Sequence, residues 1–152
     1  MRTVDFKDLS SLVGEEIGVS EWVEITQDRV NRFADATGDH QWIHVDVARA
    51  EKEMGGTIAH GYLTLSLIPW LGSMIFSVEG VGRAINYGSD KVRFLNMVRV
   101  GKRVRLRLKI AAADPRAGGV AVVRCVLQRR RRSRLCAHRR RQRLSARRLR
   151  CV

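Results

Sequence analysis

Acidic residues are missing from the last quarter of this chain. All 15 Asp and Glu of its 152 residues, and 15 of its 29 Lys and Arg, lie in residues 1–114, so that stretch is formally neutral. Residues 115–152 hold the other 14 basic residues, and the whole net charge of +14 belongs to them. The first three-quarters therefore lacks the basic footprint of a nucleic-acid or anionic-membrane binder. Cysteine is scarce as well. Cys125, Cys136 and Cys151 all fall in the basic part, and an odd number at irregular spacing fits neither a disulfide framework nor a zinc knuckle. A reducing compartment is the simpler expectation. No run approaches the roughly 18 apolar residues of a membrane span. The opening Met1-Arg2-Thr3-Val4-Asp5 brings in acid where a signal peptide has its apolar stretch, so the cytoplasm is the expected location. No repeat is visible, and the length suits a single domain with its own core.

The polar and β-branched mixture over Ile17–Ile25 predicts a half-buried first strand. Thr26 is placed to cap a short amphipathic helix in which Val30, Phe33 and Ala34 share a face, and Gly38 is placed to end it. Residues 39–57 show no sustained period, and Gly55-Gly56 would break any helix begun at Val47–Met54, so this stretch is expected to be an irregular excursion. From Ala59 to Phe76 apolar residues crowd nearly every face, which predicts a long central helix buried all round and bent or broken at Pro69. Three strands should follow, over 83–94 with an irregularity at Gly88, over 103–111 with near-strict alternation, and over 120–127 after the 115–119 turn. Strand, helix, excursion, helix and then strands is an α+β order, a sheet wrapped on one helix, and not a βαβ alternation.

Two segments are thus expected, a folded domain over 1–127 and an Arg-rich tail over 128–152. From Gln128 onward the chain has no acid, no aromatic and no hydrophobic period, so it is expected to be disordered or out of frame. An Arg-, Ala- and Cys-rich stretch that begins inside a sound strand pattern is what out-of-frame translation of a GC-rich gene yields. An inert solvated tail and a basic arm for nucleic acid or anionic lipid are the other two readings.

The densest chemical signal is Thr37-Gly38-Asp39-His40-Gln41-Trp42-Ile43-His44, followed by Ile58-Ala59-His60-Gly61 at the head of the apolar helix. The first segment resembles the signature of the MaoC-like (R)-specific enoyl-CoA hydratases and dehydratases, in which Gly-Asp is followed by three residues and then His. Ile58-Ala59-His60-Gly61, Ile85-Asn86-Tyr87-Gly88 and Lys91-Val92-Arg93-Phe94 resemble the mycobacterial, nodulation-protein-N-like branch of that family. The resemblance spans about residues 10–127. It implies a hot-dog fold with a long central helix, a homodimer, and reversible hydration of trans-2-enoyl-CoA in fatty acid metabolism without metal or other cofactor.

The residue types suit that reaction. Adding water across a conjugated thioester needs a base for the water proton, an acid for the α-carbon, and donors for the developing enolate oxygen. Asp39 and His44, five residues apart on a loop, can converge on one water. The Gly61 amide, at the start of a helix, is the natural oxyanion donor, and a glycine there permits close approach of the thioester. Outside the motif, an Asp and a His in a loop are more often a cap or a surface pair. His40 and His44 with Asp39 are a metal-ligand alternative that lacks a third ligand unless His60 folds back. His60 otherwise reads as a core or capping histidine, and Asn86 and Tyr87 as a bulged strand lining the acyl pocket. Two departures from the family stand out. Some members hold the catalytic aspartate with a serine eight residues after the glycine, where this chain has Pro69, so Asp39 needs other support, with Asn86 or a backbone amide as candidates. The family's C-terminal strand is missing or replaced by the Arg-rich tail. The alternatives are an acyl-CoA thioesterase on the same fold, which has no use for the Asp-x4-His pair, and a non-enzymatic binder acting through the basic tail.

Overall fold

The computed structural model describes residues 1–81, 85–86, 88–89 and 92–113, together with the backbone of 121–129. The axis of the fold is a long strand, β5 (Arg103–Ala113), whose alternation is that of the sequence: Val104, Leu106, Leu108 and Ile110 are buried while Arg103 and Lys109 face outward. Two short strands, β2 (Glu16–Val19) and β3 (Val23–Glu24), lie end to end along one of its edges. The expected first strand is therefore one path with a break. At the break Ser20 replaces a ladder pair, its amide donating to the Leu106 carbonyl (2.8 Å) and its hydroxyl oxygen accepting from the Leu106 amide (2.9 Å). The other edge of β5 pairs antiparallel with β6 (Ala121–Arg129). That strand runs two residues past the limit expected at Leu127, because the backbone ladder continues to Val104↔Arg129 whatever the side chains. The rest of the basic tail lies outside the described residues.

Helix α1 (Gln27–Thr37) has the expected ends, with the Thr26 hydroxyl accepting from the Arg29 amide and Gly38 closing it in the left-handed region at φ 77°. The stretch after it is more regular than expected. It holds one turn, α2 (Trp42–Val45), and a two-turn helix, α3 (Val47–Met54), capped by Asp46 and ended by Gly55. The central helix is two pieces, α4 (Gly61–Ser66) and α5 (Ile68–Ser73), parted at Leu67 where Pro69 withholds the N–H that a continuous helix needs. Leu63, Leu67, Leu71 and Ile75, four residues apart, form its buried face. Leu106 and Leu108 of β5 reach Gly72 on that face, so the two apolar rows meet as the core. The opposite face is not buried as expected: Tyr62, Trp70 and Met74 are exposed, because the described strands cover only one side.

Two strands had no clear signal: β1 (Arg2–Asp5) and β4 (Phe76–Glu79) pair in parallel as a separate ribbon, linked to the core by a 3-10 helix over Phe6–Leu12. The strand expected over 83–94 is not seen in the described part of that span, where Val92 alone makes a bridge. Tyr87 and the residues around it at 82–84 and 90–91 lie outside the described residues.

Candidate active site

The site is strung on an extended segment, Thr57–His60, held on both sides. On one side the Ala59 amide donates to the Val98 carbonyl (2.8 Å) and the Val100 amide to the Thr57 carbonyl (3.0 Å). On the other the Ile58 amide donates to the Ile43 carbonyl (3.0 Å), which fastens α2 alongside. That register brings His44 inward, 6% exposed, with Nδ1 donating to the Ile58 carbonyl at 2.7 Å. A carbonyl only accepts, so the proton sits on Nδ1 and the Nε2 lone pair is left for chemistry.

Asp39 arrives from the other direction, immediately after the left-handed Gly38 ends α1. Gln41 donates from its amide nitrogen to the Asp39 carboxylate at 3.1 Å. A support is expected at this carboxylate, because Pro69 stands where some members of the resembled family have a serine. Of the two expected candidates, Asn86 is exposed and has no such contact, and no backbone amide among the described residues donates to the carboxylate; a glutamine two residues away reaches it with less chain to order. Tyr87 cannot be placed, since it lies outside the described residues.

His60, 3% exposed, folds back between the two. Its Nε2 donates to the Asp39 carbonyl at 2.9 Å, and its ring stacks on His44 with centroids 3.7 Å apart and planes inclined by 29°. One ring nitrogen of each histidine and a carboxylate oxygen of Asp39 lie within 4.8 Å of one another. A third donor for a metal is thus present, as the alternative reading required. The ring geometry does not suit one, because an imidazole lone pair lies in its ring plane. Two rings stacked at 3.7 Å aim their lone pairs side by side rather than at one point about 2.1 Å from both, which is unfavourable for a shared cation. The spacing does suit water. Two hydrogen bonds of about 2.8 Å from a tetrahedral oxygen span roughly 4.6 Å between their acceptors.

These groups open into a pocket of about 260 Å³, lined also by Phe33, Thr37, Gly61 and Tyr62. The Gly61 amide is the first of α4 and has no carbonyl within its helix to bond. Its α-carbon is approached by protein: a side chain at Gly61 would meet the Phe94 ring at 2.6–2.9 Å, and Phe94 lies edge-on to Tyr62 at 5.8 Å. Behind His44, the Gln27 amide nitrogen donates to the His44 carbonyl (2.8 Å) while its oxygen accepts from the buried Thr57 hydroxyl (2.6 Å). The sequence offered no signal for Gln27; Gln41 and Phe94 lie in segments that carry the family resemblance, but no role was expected of either.

Known proteins share this arrangement of sequence and fold. Residues 8–126 match the MaoC-like domain. The 3-hydroxyacyl-thioester dehydratase Z of Mycobacterium tuberculosis is 51% identical over 121 residues, 78% of this chain and 80% of the relative. Nodulation protein N of Rhizobium meliloti is 48% identical over 116 residues, 73% of this chain and 71% of the relative. The unliganded R-hydratase of Pseudomonas aeruginosa aligns with a TM-score of 0.59 at 25% identity, over 76% of this chain and 68% of its own. The α+β architecture described above is a hot-dog fold, as expected.

Proposed function

We propose, from the premise that this chain belongs to the MaoC-like dehydratase family, that it adds water reversibly to trans-2-enoyl-CoA and yields (R)-3-hydroxyacyl-CoA. It is a hydro-lyase of the (R)-hydratase and dehydratase type, acting on enoyl thioesters. The observation that carries the finer reading is the convergence of the Asp39 carboxylate and a His44 nitrogen within one water's reach, in a pocket that also contains Gly61.

A water between them gives up a proton to His44 Nε2 while its oxygen bonds the β-carbon. The double-bond electrons move to the thioester oxygen, where the Gly61 N–H stabilises the charge. Collapse of that enolate takes a proton at the α-carbon from the acid/base pair, which returns to its starting state, so one water has been added and nothing oxidised. Asp39 holds the water's second hydrogen and so fixes the face it attacks.

The homodimer belongs to the same reading. Tyr62, which lines the pocket, and Phe94 beside it are exposed, and Leu95 and Met97 extend that apolar exposure along the chain, a surface that a second copy would cover. Acyl-CoA as substrate also fits fatty acid metabolism in the cytoplasm, and no helix among the described residues is long and apolar enough to cross a membrane. A thioesterase on this fold would not need the Asp39–His44 spacing.

Crotonyl-CoA and longer enoyl-CoAs incubated with the purified full chain should lose their conjugated-thioester absorbance and give the (R)-alcohol. Release of free CoA thiol with the double bond intact would replace this reading with the thioesterase.

A further inference from the structure

Among the described residues lining this pocket, His60 is a buried ionisable group that the proposed reaction does not use. It is almost wholly buried, yet half of its polar capacity is idle: Nε2 donates to the Asp39 carbonyl, and Nδ1 has no partner among the described residues. With Nε2 bound to a carbonyl, the proton must sit there and Nδ1 is a bare acceptor. A buried acceptor without a partner lowers stability, and a phenylalanine or leucine in this place would not incur that loss. Core filling therefore does not explain a histidine here. What the ring does accomplish is to join the two halves of the site, bonded to the backbone of Asp39 at 2.9 Å and stacked on the His44 ring at 3.7 Å. Phe33 backs it on another side, with ring centroids 5.0 Å apart.

We infer that His60 is a positioning residue that fixes Asp39 and His44 relative to each other, through a hydrogen bond to the backbone of one and ring stacking on the other. The inference rests on the hydratase reading for its effect on turnover, and on the geometry alone for its effect on His44. The two contacts can be separated. His60→Gln keeps an N–H donor near the Nε2 position and loses the ring, whereas His60→Phe keeps the ring and loses the donor.

In the full-length protein, each variant should lower kcat on crotonyl-CoA about 10- to 100-fold with KM within about twofold, since substrate binding is untouched while the reacting groups drift. His60→Phe should melt no lower than wild type. In nitrogen-15 spectra of the histidine rings, wild type should show His44 as a single Nδ1–H tautomer, and His60→Gln should turn it into a mixture as the ring is freed. That spectrum is readable whether or not the chain turns over enoyl-CoA. An inactive wild type whose His44 spectrum still responds to His60→Gln would sink the hydratase reading and keep the positioning role. An unchanged His44 spectrum, an unchanged kcat in an active enzyme, or a His60→Phe variant that loses stability and activity in parallel would each overturn it.

Discussion

The two members of the proposed acid/base pair sit a few ångströms apart and are held very differently. His44 is buried and tied at its ring by Ile58, at its carbonyl by Gln27 and across its face by His60. Asp39 is half-exposed on a turn, and its carboxylate has one side-chain donor, Gln41, itself exposed. The difference follows from where each residue stands in the fold. His44 lies between α1 and the extended Thr57–His60 segment, so long-range contacts close around it, whereas Asp39 follows the end of a helix and has only neighbours in sequence and His60 to steady it. A group that must transfer a proton in one direction benefits from a locked tautomer; a carboxylate that holds a water gains from some freedom to follow it.

Removing either group should erase the contrast, because both are needed in one transition state. Asp39→Asn and His44→Gln are each expected to lower hydration of crotonyl-CoA by about two to four orders of magnitude with the fold intact, and the double variant should be little worse than either single one. Circular dichroism and steady-state rates on the three proteins check this. Near-wild-type turnover in either single variant would mean that the pair is not the catalyst.

Removing the supports should expose the asymmetry. Gln27→Leu strands the buried Thr57 hydroxyl and frees the His44 carbonyl, so it should cost about 1–3 kcal/mol in denaturant titration and on the order of tenfold in kcat. Gln41→Ala loses one hydrogen bond at a wet position. It should leave stability within about 0.5 kcal/mol and lower kcat only a few-fold. If Gln41→Ala proved the more damaging of the two, the carboxylate would be the tightly held partner and the comparison above would be reversed.

How far this could be read from the residues alone depends on the range of the interaction. Both ends of α1 were legible, since Thr26 and Gly38 act through their own backbone, and so was β5, whose eleven residues give a period of two long enough to see. Asp39, His44 and Gly61 stood out because they lie in a motif, and the fold brings all three to one pocket. Helices α2 and α3 were missed because one or two turns are too short for a helical period to emerge. Gln27 gave no sign because its partners come 17 and 30 residues later. His60 was seen and read as a core or capping histidine; burial was right, but that its ring would lie on His44 depends on how Thr57–His60 threads between two other segments. Exposed Tyr62 and Trp70 misled for the opposite reason, since hydrophobicity does not say which side of a helix is left without a neighbour.

The smallest effect concerns His40, which adjoins Asp39 in sequence but turns away to the surface, where its Nε2 lies 3.0 Å from an Asp35 carboxylate oxygen. Its pKa is raised above the ordinary histidine value, first by the hydrogen bond to Asp35 and then by the Gly38 carbonyl. A raised folded-state pKa adds stability that is fully present below the unfolded value and is lost as pH rises through the folded one. The pair is solvated and open to screening, so its contribution is small and should shrink with salt. His40→Asn should therefore match wild type in both melting temperature and kcat at pH 8, and melt slightly lower near pH 5, the gap closing in about 1 M salt. A gap that widened toward alkaline pH would have the wrong sign for this pair. A loss of kcat at pH 8 would show that the neutral His40 ring steadies the Asp39 turn, and the loosely held half of the site would then be less loose than its single carboxylate donor suggests.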